Sequence, residues 1–281
     1  PSKYQNYRPI SILSALPKIF EKIVHRNIYK HITEHVLLSD KQSGYRKTHS
    51  TQQQLLFFTH TLYKSLDIGH DFTAIFLDIA KYFDKIWHKG LLYKCKTEFG
   101  ITGKLLEWLT SYLKDREQRV KIDNFTSTTQ TINAGCPQGS VLGPLLALIY
   151  LNDLSTRTHH DILLFADDTS ISASYARTNL STTQASLQRD IDEIHRYGRQ
   201  WIITFNTTKT IQQTFTLNND SQTPALTFGD DPIPVHSKHT HLGLTFSDDL
   251  RFQHHVKAIC RKVNIALSPL YKVAKCLPRT I

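Results

Sequence analysis

The stretch that most constrains this chain is Ile162-Leu163-Leu164-Phe165-Ala166-Asp167-Asp168-Thr169-Ser170-Ile171-Ser172, where four apolar residues run into two adjacent aspartates and a β-type run leads away. Such a pattern predicts a hairpin whose buried strand delivers two carboxylates to its turn. Aspartate is also a favoured turn residue that local backbone hydrogen bonds satisfy, so this stretch alone leaves a purely structural reading open.

A second carboxylate set decides between the two readings. Phe72 to Leu77 is mostly apolar, as expected of a strand covered on both faces, and Asp78 breaks it at its C-terminal end. Ligands of α/β sheets gather at the carboxyl ends of strands. Asp78 beside Asp167 and Asp168 would form a cluster that cations must neutralise, because like charges held close together cannot all stay ionised. Hard oxygen ligands favour Mg²⁺ bound together with substrate phosphates, with Mn²⁺ an alternative. Two such ions would activate an attacking hydroxyl and stabilise a leaving oxygen in an in-line phosphoryl displacement.

Charge supports a polyanionic partner. Residues 1–64 hold ten Lys/Arg against three Asp/Glu, residues 251–281 hold seven against none, and the middle holds 17 against 21. Two flanks of +7 therefore bracket a centre of −4, which suits phosphate backbone gripped on either side of metal-bound carboxylates. Cys95, Cys136, Cys260 and Cys276 are widely scattered with no C-x-x-C pair, which argues against a disulfide framework or zinc site and fits a reducing, intracellular compartment, nuclear or cytoplasmic. No apolar run approaches membrane-spanning length. Methionine is absent even at position 1, and the chain reads as a fragment of something longer.

In chain order, Arg8 to Leu13 reads as a short extended segment. Pro17 then opens a helix with apolar positions Ile19, Phe20, Ile23, Val24, Ile28 and Ile32. The polar loop from Ser43 to Thr51 carries Gly44, Arg46 and Lys47, and Ser50 or Thr51 caps the next helix. A basic loop feeding a helix N-terminus can cradle phosphates. Helical patterns follow at about 89–98 and 103–114, then a hairpin around Asn124. Between Ala134 and Leu146, three glycines and two prolines make a shaped loop, in which glycine lets backbone approach a ligand and Gln138 supplies an amide. Leu180 to Trp201 is the clearest amphipathic helix: Leu187, Ile191, Ile194 and Trp201 form its apolar stripe, and Arg189, Asp190, Asp192, Glu193 and Arg196 its wet side. Lys209 sits in a turn, short strands cover Gln213–Leu217, Ala225–Phe228 and His241–Phe246, and 252–281 is basic and helical. His239, His241, His254 and His255 match no standard metal spacing and read as surface histidines. Alternating strands and helices ending in short strands indicate α/β or α+β with a mixed sheet.

Nearly the whole chain, in order, resembles the reverse transcriptase of non-LTR (LINE-type) retrotransposons, most similar to the jockey-like group. The resemblance rests on Asn6-Tyr7-Arg8-Pro9-Ile10-Ser11, on Gly44-Tyr45-Arg46 with Ser50-Thr51, on the metal-binding block Phe76 to His88, on Ala134 to Leu146, on Phe165 to Asp168, on Asn206 with Lys209, and on His241-Leu242-Gly243. It implies a right-hand polymerase: fingers from 1–70 with part of 85–130, a palm over 71–245, and a truncated thumb beginning at 246–281. It also implies roles. Asp78, Asp167 and Asp168 would hold two Mg²⁺ ions; Arg46 would contact the incoming triphosphate and Ile79 the nucleotide; Phe83 would exclude a 2′-hydroxyl; Gln138 and Gly139 would line the nascent base pair; and Lys209 would be general acid for pyrophosphate. The implied partners are an RNA template, a DNA primer and deoxynucleoside triphosphates, with an endonuclease domain in the full-length polyprotein and no membrane. One departure stands out. Tyr82 occupies a position where the family has alanine, and a phenol beside the sugar gate would crowd the nucleotide pocket. An active RNA-directed DNA polymerase and a decayed or truncated copy that binds nucleic acid without catalysis are therefore both consistent with the sequence.

Overall fold

Two helices lead into the sheet in the computed structural model, which describes residues 11–218 and 222–274. The first, α1 (Ala15–Glu34), follows Ser14. The second, α2 (Thr51–Asp67), starts at a capping box: the Ser50 hydroxyl accepts from the Gln53 N–H while the Gln53 side chain accepts from the Ser50 N–H. Strand β1 (Asp71–Leu77), the single-turn α3 (Tyr82–Lys85), α4 (His88–Thr97) and α5 (Gly103–Leu113) come next. The hairpin around Asn124 is built from β2 (Arg116–Gln118), β3 (Lys121–Ile122), β4 (Phe125–Thr126) and β5 (Gln130–Ile132), with β3 paired to β4 inside the β2–β5 ladder. Helix α6 (Gly143–Leu151), strands β6 (Asp161–Phe165) and β7 (Asp168–Tyr175), helix α7 (Leu180–Gln200) and strand β8 (Ile211–Phe215) complete the centre. Short strands β9 (Thr227–Phe228), β10 (Asp231–Pro232), β11 (Lys238–His241) and β12 (Leu244–Ser247) precede α8 (Gln253–Ala274).

The central sheet has the order β6-β7-β1-β8, and all three of its ladders are antiparallel. The mixture of strand directions expected of it is confined to its margins, in the isolated parallel bridges Gln42–Leu164 and Gln212–Val235. Both faces are covered, so β1 is buried at every position. The two-residue period of a strand sorts its side chains: Phe72, Ala74 and Phe76 meet Phe58 and Leu62 of α2 and Phe246 of β12, while Ile75 and Leu77 join the larger core of α4, α6 and α7. The predicted stripe of α7 packs as expected, with Leu187, Ile191, Ile194 and Trp201 all buried.

Several polar residues are buried where the sequence pattern puts them in water. Lys94 of α4 is fully buried; its ammonium donates to the Tyr150 carbonyl (2.7 Å), the Tyr197 hydroxyl (2.7 Å) and the Asp153 carboxylate. All three of its protons thus find acceptors, and the cation lies 3.9 Å from the Trp201 ring centroid. Burial lowers its pKa, and Asp153 opposes that shift.

Asp190 is the clearest correction on α7, since its wet-side assignment fails: the residue is 1% exposed. Its carboxylate accepts from the backbone N–H groups of His159 and His160 and meets both imidazoles. Burial pushes its pKa up, but the hydrogen bonds from His160 and His159 outweigh that and hold it below the usual carboxylate value. A carboxylate depressed in the folded state stabilises fully above the unfolded value of about 3.9, and that contribution is lost as pH falls through the lower folded value. Asp190→Asn is therefore expected to cost ~1.5–3 kcal/mol at pH 7. In urea titrations the gap between variant and parent should narrow at the acid end; a gap independent of pH would contradict this account.

Three further expectations change. On α1 only Ile28 and Ile32 of the predicted stripe are buried, while Ile19, Phe20 and Ile23 are exposed and Glu21 turns inward, drawn by a helix terminus described below. The strand expected over His241–Phe246 is instead the β11–β12 hairpin, because Leu242 and Gly243 both adopt positive φ (47° and 87°) and reverse the chain. His241 is 5% exposed, and both it and His239 lie against the Phe76 ring, with burial pushing each pKa down to about 4. The first half of the extended segment read over Arg8 to Leu13 lies outside the described residues, as does the end of the helix predicted to reach 281.

Candidate active site

Antiparallel register brings the two carboxylate sets together. Leu77 pairs with Thr169, so one further step along the same ladder sets Asp78 opposite Asp168, and Asp168 itself pairs with Phe165 across the hairpin turn. Asp78 is anchored by its backbone: its carbonyl accepts from Asn206 N–H (2.7 Å), and Ile79 bridges to Phe205. Asn206 shapes the turn that follows, where its side-chain oxygen accepts from the Thr208 N–H and hydroxyl. That turn carries Lys209 to 3.5 Å from the Asp78 carboxylate. With Lys209 66% exposed, the pair is a surface contact of about 0–1 kcal/mol, which leaves the ammonium free to move.

Three aspartates at adjacent strand ends are the donor set that hard divalent cations prefer. The backbone fits that use; the side chains are not gathered for it. Among the described residues no three His, Cys, Asp or Glu side chains form a ligand group, and Asp78 turns to Lys209.

The remaining predicted residues surround this point unevenly. Phe83 is half-buried and meets the Tyr45 ring edge-on, with centroids 6.1 Å apart. The Gln138 amide donates to Asp84 (2.8 Å), and its carbonyl accepts from Ser11 N–H (2.8 Å). Gly139 has φ 106°, a conformation that favours glycine, and a Cβ there would lie 3.2 Å from the Ser11 carbonyl. Arg46 donates through one nitrogen to the carbonyls of Ser39 and Gln42 (2.7 and 2.9 Å), so part of its fork shapes its own loop. Ile79 is 5% exposed, and its side chain belongs to the core.

Tyr82 corrects the expectation of a crowded pocket. It is 4% exposed, and its hydroxyl donates to the Ala147 carbonyl (2.6 Å) of α6. Successive helical residues point about 100° apart, so Phe83 emerges from α3 while Tyr82 enters the core.

Glu21 escaped the sequence reading. At 2% exposure it accepts from the N–H groups of Val141 (2.6 Å) and Leu142 (3.2 Å) and from the Tyr112 hydroxyl (3.2 Å). A carboxylate from α1 thus satisfies the two backbone donors that lead into α6, whose own first N–H is taken by the Ser140 hydroxyl (2.7 Å), and ties the segment after the Gln138–Gly139 loop to α1. In sequence it looks like any helix-surface glutamate.

The site thus sets carboxylates on a β-hairpin beside a second strand end, with a cation in reach, in an antiparallel sheet packed by helices. The sequence profile described as reverse transcriptase (RNA-dependent DNA polymerase) matches residues 1–246, and the chain belongs to that family. It is 32% identical over 273 residues to a probable RNA-directed DNA polymerase from transposon BS of Drosophila melanogaster, covering 92% of this chain and 29% of that protein. It is 31% identical over 269 residues to the RNA-directed DNA polymerase from mobile element jockey of the same species, again covering 92% and 29%. This chain therefore spans under a third of those relatives. Among solved structures, apo telomerase from Candida tropicalis superposes with a TM-score of 0.57 at 15% identity, covering 83% of this chain and 44% of that one. Telomerase from the same organism with a fragment of telomeric RNA gives 0.52 at 14%, covering 85% and 37%. These likenesses show the right-hand polymerase fold. No helix among the described residues is long and apolar enough to cross a membrane.

Proposed function

We propose that this chain is the polymerase segment of a jockey-like non-LTR retrotransposon, adding deoxynucleotides to a DNA primer 3′-hydroxyl on an RNA template. The observation that carries this reading is the register that sets Asp78 against the Asp167–Asp168 turn, with Lys209 3.5 Å from Asp78. In this reading Asp78, Asp167 and Asp168 would hold two Mg²⁺ ions, or Mn²⁺ in their place, which would supply charge neutralisation at the phosphates and a more acidic primer hydroxyl. The primer hydroxyl loses its proton to solvent as its oxygen bonds to the α-phosphorus and the bond from that phosphorus to the bridging oxygen breaks. Lys209 then gives a proton to the departing pyrophosphate. Arg46 offers its remaining N–H groups to the triphosphate, Ile79 its backbone, and Gln138 with Gly139 a surface for the new base pair. Fingers comprise 1–70 and part of 85–130, the palm 71–245 and the beginning of the thumb 246–281. The chain's share of its relatives leaves room for an endonuclease domain in the full polyprotein, and the free Cys95 and Cys136 suit a nuclear or cytoplasmic setting. The silent-copy alternative rests in part on Tyr82, whose ring lies in the core.

Primer extension on an RNA template with deoxynucleotides and Mg²⁺ tests the reading. Template-dependent DNA synthesis is expected, and its absence would overturn it. Phe83 supplies a finer test: Phe83→Val should relax discrimination against ribonucleotides by roughly 10–100-fold in kcat/KM ratio, and unchanged sugar selectivity would remove Phe83 from the gate.

A further inference from the structure

We propose that Gln42 is the positioning residue of the Asp167–Asp168 turn, an assignment that rests on the polymerase reading for its effect on catalysis but not for its structural arm. Ala166 stands at the first central position of that two-residue turn with φ 58°, where glycine is favoured because a Cβ is strained. A single side chain holds it there. The Gln42 amide oxygen accepts from the Ala166 N–H (3.0 Å) while its nitrogen donates to the Ala166 carbonyl (3.2 Å). One planar amide thus grips both backbone groups of one residue, which fixes the direction in which the chain leaves for Asp167. The same oxygen also accepts from the Gly44 N–H (2.8 Å), so only one orientation of the amide satisfies the site.

The clamp is itself held rigidly. Gln42 is 0% exposed and forms a parallel bridge with Leu164, flanked by hydrogen bonds from Ser43 N–H to the Leu164 carbonyl (2.8 Å) and from Leu164 N–H to the Lys41 carbonyl (2.9 Å). Its own carbonyl is tied by Arg46 (2.9 Å). At Gly44 an added Cβ would fall 2.1 Å from the Ala166 nitrogen, so the loop can approach the turn this closely only because residue 44 has no side chain. The segment from Ser39 to Arg46 therefore acts as a brace that transmits its geometry to the carboxylates, independently of any phosphate contact by Arg46.

Gln42→Met keeps the bulk of the side chain and removes all three hydrogen bonds. Hydrogen exchange over peptides spanning 161–170 should quicken by ~10-fold or more, with β1 and α7 unchanged. In primer extension kcat should fall ~100-fold, and the half-saturating Mg²⁺ concentration should rise ~10-fold while the dNTP KM stays within about threefold. A merely structural role would lower stability without moving the Mg²⁺ requirement. Parent-like exchange at the turn, or an unaltered Mg²⁺ requirement, would overturn the assignment. If the parent itself does not extend primers, the polymerase reading fails, and the exchange measurement alone still decides for or against the clamp. Should Gln42→Met not fold, Gln42→Glu carries the same test: it retains the two accepted bonds, loses the donated one, and should show the same shifts in smaller degree.

Discussion

Asp167→Asn is expected to reduce primer extension by ~10³-fold or more, since loss of a metal-holding carboxylate removes several kcal/mol of transition-state stabilisation. The substitution conserves volume and keeps the hairpin's backbone pairing, so circular dichroism and RNA binding should match the parent. Asp161→Asn is the internal control. It lies on the same hairpin, five residues before Ala166, but its carboxylate is half-exposed and pairs with Lys41 (3.0 Å). A surface pair of that kind contributes about 0–1 kcal/mol, and its loss should leave the rate within about twofold. Synthesis retained by Asp167→Asn would sink the metal assignment. Equal losses in both variants would mean that the hairpin fold, and not the Asp167 charge, had been damaged.

Tyr82→Ala carries the second large effect, and its direction is the reverse of what the sequence suggests. In the sequence, a phenol directly before Phe83 reads as an obstruction whose removal would free the pocket. In the structure the ring is buried under α6, 5.9 Å from the Phe83 centroid, and its hydroxyl bonds to Ala147. Burial, reinforced by Tyr150, raises the phenol pKa well above its ordinary value, so the hydroxyl remains a donor throughout the working pH range. Removing a buried aromatic ring costs ~3–5 kcal/mol through lost contacts and a residual cavity. Tyr82→Phe should cost only about 0.5–1.5 kcal/mol, the worth of one hydrogen bond. Guanidinium titrations of the three proteins would measure both values. A Tyr82→Ala protein as stable as the parent and faster in extension would restore the obstruction account.

The regular elements and the carboxylates were legible because their signals are local. The apolar run of β1, the stripe of α7 and the Ser50 capping box each follow from neighbours within a few residues. The same holds for Asp78 and Asp167-Asp168, whose place at strand ends is visible wherever an apolar run stops on an acid. Glu21, Gln42, Lys94 and Asp190 were not legible. Each is polar, each reads as a solvated side chain, and each is buried against partners remote in sequence: the amide of Gln42 meets Ala166, 124 residues on. Tyr82 and Phe83 illustrate the same limit within one turn of helix, where adjacent aromatics face core and solvent according to what packs against α3.

By itself, then, the sequence determined the main helices, the strand and hairpin that lead to the acids, and that two sets of carboxylates stand at strand ends, because propensity, periodicity and capping act over a few residues. Only the tertiary structure decided the register that sets Asp78 opposite Asp168, the brace under Ala166, the anchoring of the entry to α6 by Glu21 and the core position of Tyr82. Burial and hydrogen-bond satisfaction depend on what lies across the interior, and a polar group is driven to a partner there by the cost of leaving it dry and unpaired.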